Sequence, residues 1–128
     1  MLPDRTFIYV LLDPRDNGIR YVGLSAYPKQ RYIFHCETAG KTNTPKGRWI
    51  CALKRLGLMP VLSIRYELPT RDRAIVLEAR LIKALRACKG DRLTNSEQYG
   101  VTKVRRSVRR RLNRLLAEAE RIAKAVVH

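Results

Sequence analysis

Apolar and polar residues alternate in blocks that predict a short series of strands and helices. Residues 6–12, TFIYVLL, form an apolar run rich in β-formers, and residues 19–23 resume that character after a polar loop. Asn17-Gly18 in the loop is turn chemistry, so the two runs read as a β-hairpin. Pro28 suits the first turn of a helix running towards Thr38, on which Arg31 and His35 are i, i+4 neighbours. Residues 39–45 read as a loop. A second helix is expected over about 46–56, with Trp49, Ile50, Leu53 and Leu56 on one stripe and Gly57 placed to end it. Residues 61–68 alternate, with Leu62, Ile64, Tyr66 and Leu68 on one face, and predict a third, half-buried strand.

Thr70 is a natural N-cap for a third helix over about 71–87, which Lys89-Gly90 closes. Its apolar stripe, Ile75, Ala79, Ile82 and Leu85, also carries Glu78. A carboxylate among core residues costs several kcal/mol in order of magnitude unless an arginine or a metal ion compensates it. A structural salt bridge and a metal site are both open readings of that position. Residues 101–127 predict a last helix whose first half, KVRRSVRRRLNR, is densely basic, and whose second half is mildly amphipathic.

Charge narrows the class of partner. The 128-residue chain holds 27 Lys and Arg against 11 Asp and Glu, a net charge of +16, with a pI near 10.6. Such an excess repels itself unless a polyanion screens it, and nucleic acid is the leading candidate. No segment approaches the ~18 consecutive apolar residues of a spanning helix, and the N-terminus lacks the apolar region of a signal peptide. The expectation is an intracellular, cytoplasmic protein without a membrane partner. Cys36, Cys51 and Cys88 are odd in number and widely spaced, which fits a reducing compartment rather than a disulfide framework. His35 beside Cys36 lacks the further spaced ligands of a zinc site.

The order FIY, YVG twelve residues on from tyrosine to tyrosine, P-x-x-R-x-x-x-H, K-x-x-WI-x-x-L, E-x-x-LI and LTN resembles the GIY-YIG nuclease superfamily over about residues 6–97. The resemblance implies an α/β fold of the α+β type: a small three-stranded antiparallel sheet flanked by helices, here followed by a basic C-terminal helix. A nuclease domain over 1–98 and a basic helical extension over 99–128 are the expected divisions. The implied activity is hydrolysis of DNA phosphodiesters with one divalent ion, Mg2+ or Mn2+. Tyr9 and Tyr21 stand at the motif tyrosines that face the scissile phosphate, Arg31 at the phosphate-contacting arginine, and Glu78 at the metal-binding glutamate. His35 matches a frequent but less uniform polar position, and Asn95 matches an asparagine taken as structural. Phe7 and Val22 depart from the motif, replacing its glycine and isoleucine.

These residue types suit the chemistry. Phosphodiester hydrolysis needs an activated water, neutralisation of phosphoryl charge and a stabilised leaving alkoxide. One carboxylate can hold magnesium, because that ion keeps several waters. A tyrosine among cations is expected to ionise more easily than a free phenol and to serve as general base. Tyr9 is the first choice and Tyr21 nearly as good. Lys46, Arg48, Arg105, Arg106, Arg109 and Arg110 are the expected phosphate contacts. The rival reading is a non-catalytic basic nucleic-acid-binding module. Nicking, double-strand cleavage by a homodimer or larger assembly, and cleavage specificity are all left open.

Overall fold

The central element is β1, Thr6–Leu12, which pairs antiparallel with β2, Ile19–Ser25, on one side and with β3, Val61–Leu68, on the other, giving the order β2-β1-β3. The computed structural model describes residues 5–88, 90–95 and 119–125. Of the helix expected over 101–127, only 119–125 is described, and it is helical. Arg105, Arg106, Arg109 and Arg110 lie outside the described residues. The three-stranded antiparallel sheet with flanking helices is the fold that the resemblance implies.

Because successive side chains of a strand point to opposite faces, β1 feeds two cores. Ile8 and Val10 pack with Ala74, Leu77 and Leu81 of α3, Arg71–Arg86, and with Ala119 and Ala123. Tyr9 and Leu11 face the other way, towards Ala39 and Trp49, Ile50 and Leu53 of α2, Pro45–Arg55. Both faces of the sheet are therefore covered, and each fully buried aliphatic side chain contributes about 1.5–3 kcal/mol.

The helices begin and end where their residues dictate. Pro28 occupies the first turn of α1, Pro28–Thr38. The Thr44 and Thr70 hydroxyls cap α2 and α3 by accepting from the backbone N–H of Gly47 and Arg73. Gly57, at φ +73°, takes the left-handed conformation that closes α2.

Four expectations are corrected. Residues 39–41 form a 3-10 turn within the expected loop. Leu56 lies past the last turn of α2 and is exposed rather than part of its apolar stripe. The register of β1 against β3 shifts between Ile8 and Tyr9, so that Ile8 faces Tyr66 while Tyr9 faces Ile64. This bulge breaks the alternation of β3: Tyr66 and Leu68 join the α3 side, Leu62 joins the α2 side, and Ile64 is exposed. Of the expected α3 stripe, Ile82 and Leu85 do reach the core, beside Ala74, Leu77 and Leu81, whereas Ile75 and Glu78 border a cleft instead. Among the described residues, no helix is long and apolar enough to cross a membrane.

Candidate active site

Five elements converge on one cleft of about 460 Å³. Tyr9 comes from β1, Tyr21 from β2, Arg31 from α1, Arg71 and Glu78 from α3, and Asn95 from the segment after α3. Phe7, the departure from the motif, is not among the lining residues.

The tyrosines meet because their strands are neighbours in the antiparallel register. Tyr9 lies opposite Gly23, and a Cβ built on Gly23 would come 2.4 Å from Tyr9 Cζ, 2.5 Å from its Oη and 2.9 Å from Tyr21 Cε2. Only glycine leaves room for the phenol to cross its neighbour. The Tyr9 and Tyr21 ring centroids are 6.3 Å apart. The sequence signal for Gly23 is a glycine inside a strand pattern, which marks close approach.

Asn95 holds the outer edge of β2. Its Oδ1 accepts from the Val22 N–H at 2.9 Å, and its Nδ2 donates to the Val22 carbonyl at 2.7 Å. Thr94 adds a backbone N–H and a hydroxyl, both donating to the Arg20 carbonyl. A single-residue amide thus stands in for a fourth strand beside the site.

Tyr9 is 1% exposed, and its Oη lies 2.8 Å from His35 Nε2. His35, also 1% exposed, has its other nitrogen, Nδ1, 2.8 Å from Lys46 Nζ. The Lys46 ammonium also sits 4.7 Å from the Tyr21 ring centroid, a cation-π distance. Lys46, expected as a phosphate contact, is therefore turned inward. Arg48 is exposed, and its Nη1 donates to Asn43 Oδ1 at 2.9 Å. The Arg31 guanidinium stacks 4.9 Å from the Phe34 centroid.

Burial dominates the electrostatics of this cluster. It pushes the Tyr9 phenol well above its ordinary range; Tyr21 and Glu78 push the same way, while Arg31 pulls it down. The cation acts in the expected direction, but desolvation outweighs it, so nearby charge alone does not make Tyr9 readily ionised. Burial, then the Lys46 and Arg31 charges, lower His35 to about 3. Burial and Arg31 lower Lys46 to about 8. At neutral pH the histidine is neutral and the lysine still cationic.

Glu78 is 9% exposed and lines the cleft. Among the described residues, no three His, Cys, Asp or Glu side chains gather at one point. A divalent ion here would have Glu78 as its protein ligand, with water and phosphate oxygens completing the shell. That donor set fits magnesium or manganese and does not fit a structural zinc. Arg71 was not foreseen as a site residue. It stands seven residues before Glu78, two turns along the same helix face, and that spacing was the available signal.

A family model described as the GIY-YIG catalytic domain matches residues 5–92. No curated protein and no solved structure matches the chain.

Proposed function

The chain belongs to the GIY-YIG nuclease family, and from that premise we propose that it is a metal-dependent DNA endonuclease that hydrolyses phosphodiesters at the cleft between α1, α3 and the β-hairpin. The observation that carries this reading is the meeting of Tyr9, Tyr21, Arg31 and Glu78, drawn from four elements, in one cleft.

In this reading Glu78 would hold a divalent ion, which would supply Lewis-acid chemistry for phosphodiester hydrolysis. The residues of the chain do the rest. Arg31 presents a permanent planar cation to the phosphoryl oxygens. Tyr9, as phenolate, takes a proton from water while the water oxygen bonds to phosphorus and the P–O bond to the leaving nucleotide breaks. Tyr21 orients the attacking water, and it is the second choice for the base. Arg71, on the Glu78 face of α3, adds positive charge for the strand entering the cleft.

The expected division into a nuclease domain over 1–98 and a basic extension over 99–128 belongs to the same proposal. The extension and the exposed Arg48 grip duplex phosphates without regard to sequence. The free cysteines Cys36, Cys51 and Cys88 support a reducing, intracellular setting.

Incubation with supercoiled plasmid tests the reading. Conversion to open-circular or linear DNA with magnesium, abolished by EDTA, is the expected result. Tight binding without any cleavage of supercoiled, linear, single-stranded or branched DNA would instead favour the non-catalytic binding module. A salt titration of DNA affinity before and after replacing Arg105, Arg106, Arg109 and Arg110 by glutamine tests the extension. The slope should flatten by up to roughly 3.6 in log K against log salt.

A further inference from the structure

Lys46 is seated by the start of α2. The Thr44 hydroxyl caps the helix by accepting from the Gly47 N–H at 3.1 Å. A Cβ on Gly47 would come 2.6 Å from Thr42 Oγ1 and 2.8 Å from the Ala39 carbonyl oxygen. Glycine at 47 therefore lets the helix start press against the 3-10 turn, and Lys46 beside it turns into the cluster. Its Nζ reaches His35 Nδ1 at 2.8 Å, and His35 Nε2 reaches Tyr9 Oη at 2.8 Å.

Donor and acceptor counting fixes the direction of both bonds. An ammonium has three donors and no acceptor, and a neutral imidazole has one of each. Lys46 must donate, so Nδ1 must accept. The ring proton is then on Nε2, which donates to the Tyr9 oxygen. The charged and titratable groups acting on the ring, among the described residues, are Tyr9 from β1, Tyr21 from β2, Lys46 from α2 and Arg31 one turn earlier on α1. No carboxylate is among them to draw the proton to Nδ1.

We propose that Lys46 is a positioning residue that holds His35 in the Nε2–H tautomer, so that His35 donates to the Tyr9 oxygen and supports its phenolate. The inference rests on the reading of Tyr9 as the base. It excludes one route. His35 cannot take the phenol's proton, because the nitrogen facing Tyr9 already carries one; Tyr9 releases its proton to water on the cleft side. In the hydrolytic step the proton passes from the attacking water to the Tyr9 oxygen, and Lys46 and His35 keep theirs throughout.

The tautomer is measurable without a substrate. In the full chain labelled with 15N, His35 and His128 are the two histidines, and His128→Gln leaves His35 alone in the spectrum. At pH 7 the expected pattern is a protonated Nε2 and a bare, hydrogen-bonded Nδ1. Lys46→Arg, which again offers only donors, should keep that pattern. Lys46→Gln, whose amide oxygen can accept, should admit the Nδ1–H tautomer. A protonated Nδ1 in the unsubstituted chain, or an unchanged pattern in Lys46→Gln, overturns the proposal.

Kinetics supply the second arm. Lys46→Gln should lower the single-turnover rate at saturating DNA by about 10- to 100-fold, the range for groups that orient a reacting side chain. The KM for DNA should change by less than roughly threefold. Lys46→Arg should restore most of the rate. In a His35→Ala background, Lys46→Gln should cost nothing further, because its effect passes through the ring. Weakened DNA binding with a flatter salt slope and an intact rate would make Lys46 an ordinary phosphate contact and overturn the inference while leaving the nuclease reading in place. If the chain cleaves no DNA at all, the nuclease reading falls, and the tautomer measurement still decides whether Lys46 governs His35.

Discussion

Two buried carboxylates in this fold are treated in opposite ways. Asp13, 1% exposed at the base of the hairpin loop, is enclosed by donors. Arg15 gives its backbone N–H, Nε and Nη2 at 2.8–3.0 Å, Trp49 gives its indole N–H at 3.0 Å, and Arg20 stands at 3.5 Å. The hydrogen bonds from Arg15 hold its carboxyl well below the usual carboxylate range, against the opposing effect of burial. Glu78, 9% exposed, opens instead onto the cleft with Arg31, Arg71 and the two tyrosines. A carboxylate ringed by its own chain's donors has its lone pairs committed to architecture, here tying the hairpin loop to α2. Glu78 lines the wall of a cleft that a ligand can enter. Burial alone does not tell the two apart; their places in the fold, one under the hairpin loop and one on a cleft wall, do.

Exchanging each carboxylate for its amide breaks the comparison most directly. Glu78→Gln should reduce magnesium-dependent cleavage by at least about 100-fold with little change in unfolding free energy or DNA affinity. Asp13→Asn should do the reverse. It leaves buried donors facing a weaker acceptor and should cost about 2–4 kcal/mol in urea unfolding, while the folded fraction cleaves normally. Activity above a tenth of wild type in Glu78→Gln would remove its metal role. A stable but inactive Asp13→Asn would dissolve the distinction between the two sites.

The next effects concern the phenols on the cleft. Tyr9→Phe should lower turnover by about 100- to 10,000-fold, the range of a general base. The cost in stability should be about 1–3 kcal/mol, because His35 Nε2 loses its partner. Normal cleavage by Tyr9→Phe with a dead Tyr21→Phe would transfer the base to Tyr21. Gly23→Ala should harm both properties. Its Cβ would occupy the space of the Tyr9 phenol, displacing the ring at a cost of about 1–3 kcal/mol, and misplacing a reacting oxygen by about 1 Å costs roughly 100-fold in rate. Wild-type rates in Gly23→Ala would mean that Tyr9 moves without consequence, and so does not act on the reacting water.

The local features of this chain were legible in its sequence, and the features that depend on distant partners were not. The hairpin, the existence of β3 and the starts of α1 and α3 follow from turn residues, period and N-terminal chemistry at Asn17-Gly18, Pro28 and Thr70. The cleft face of α3 followed from spacing as well, since Ile75 and Glu78 do share it. Its destination did not, because periodicity gives the face of a helix and not what lies opposite. The bulge in β3 is one residue of extra length against β1, invisible without the partner's register, yet it inverts which side chains of β3 meet which core. Asp13 reads locally as loop chemistry, and its indole partner Trp49 is 36 residues away. Lys46 reads as one more cation on a basic helix. Its inward turn is set by Gly47 against residues 39–42 and by a histidine on another helix.

The smallest effect separates the two regions in acid. His35 is lowered to about 3 from an ordinary 6.5, so below pH 6.5 the unfolded chain binds a proton that the folded chain refuses. The unfolded state then holds more protons, and stability falls as pH falls, by at most about 1.4 kcal/mol per pH unit between 6.5 and 3. Asp13 acts later. Its folded carboxyl is held below the unfolded value, so its contribution is present above the ordinary carboxylate range and is lost only as pH drops through and below it. From pH 7 to pH 4.5, in a His128→Gln background, urea unfolding should therefore lose roughly 1–2 kcal/mol. His35→Gln should flatten that stretch. Asp13→Asn should leave it unchanged and flatten only the fall below about pH 4. Equal slopes in His35→Gln and its parent would show that the ring protonates freely in the folded chain, which would open the Tyr9, His35 and Lys46 cluster to solvent.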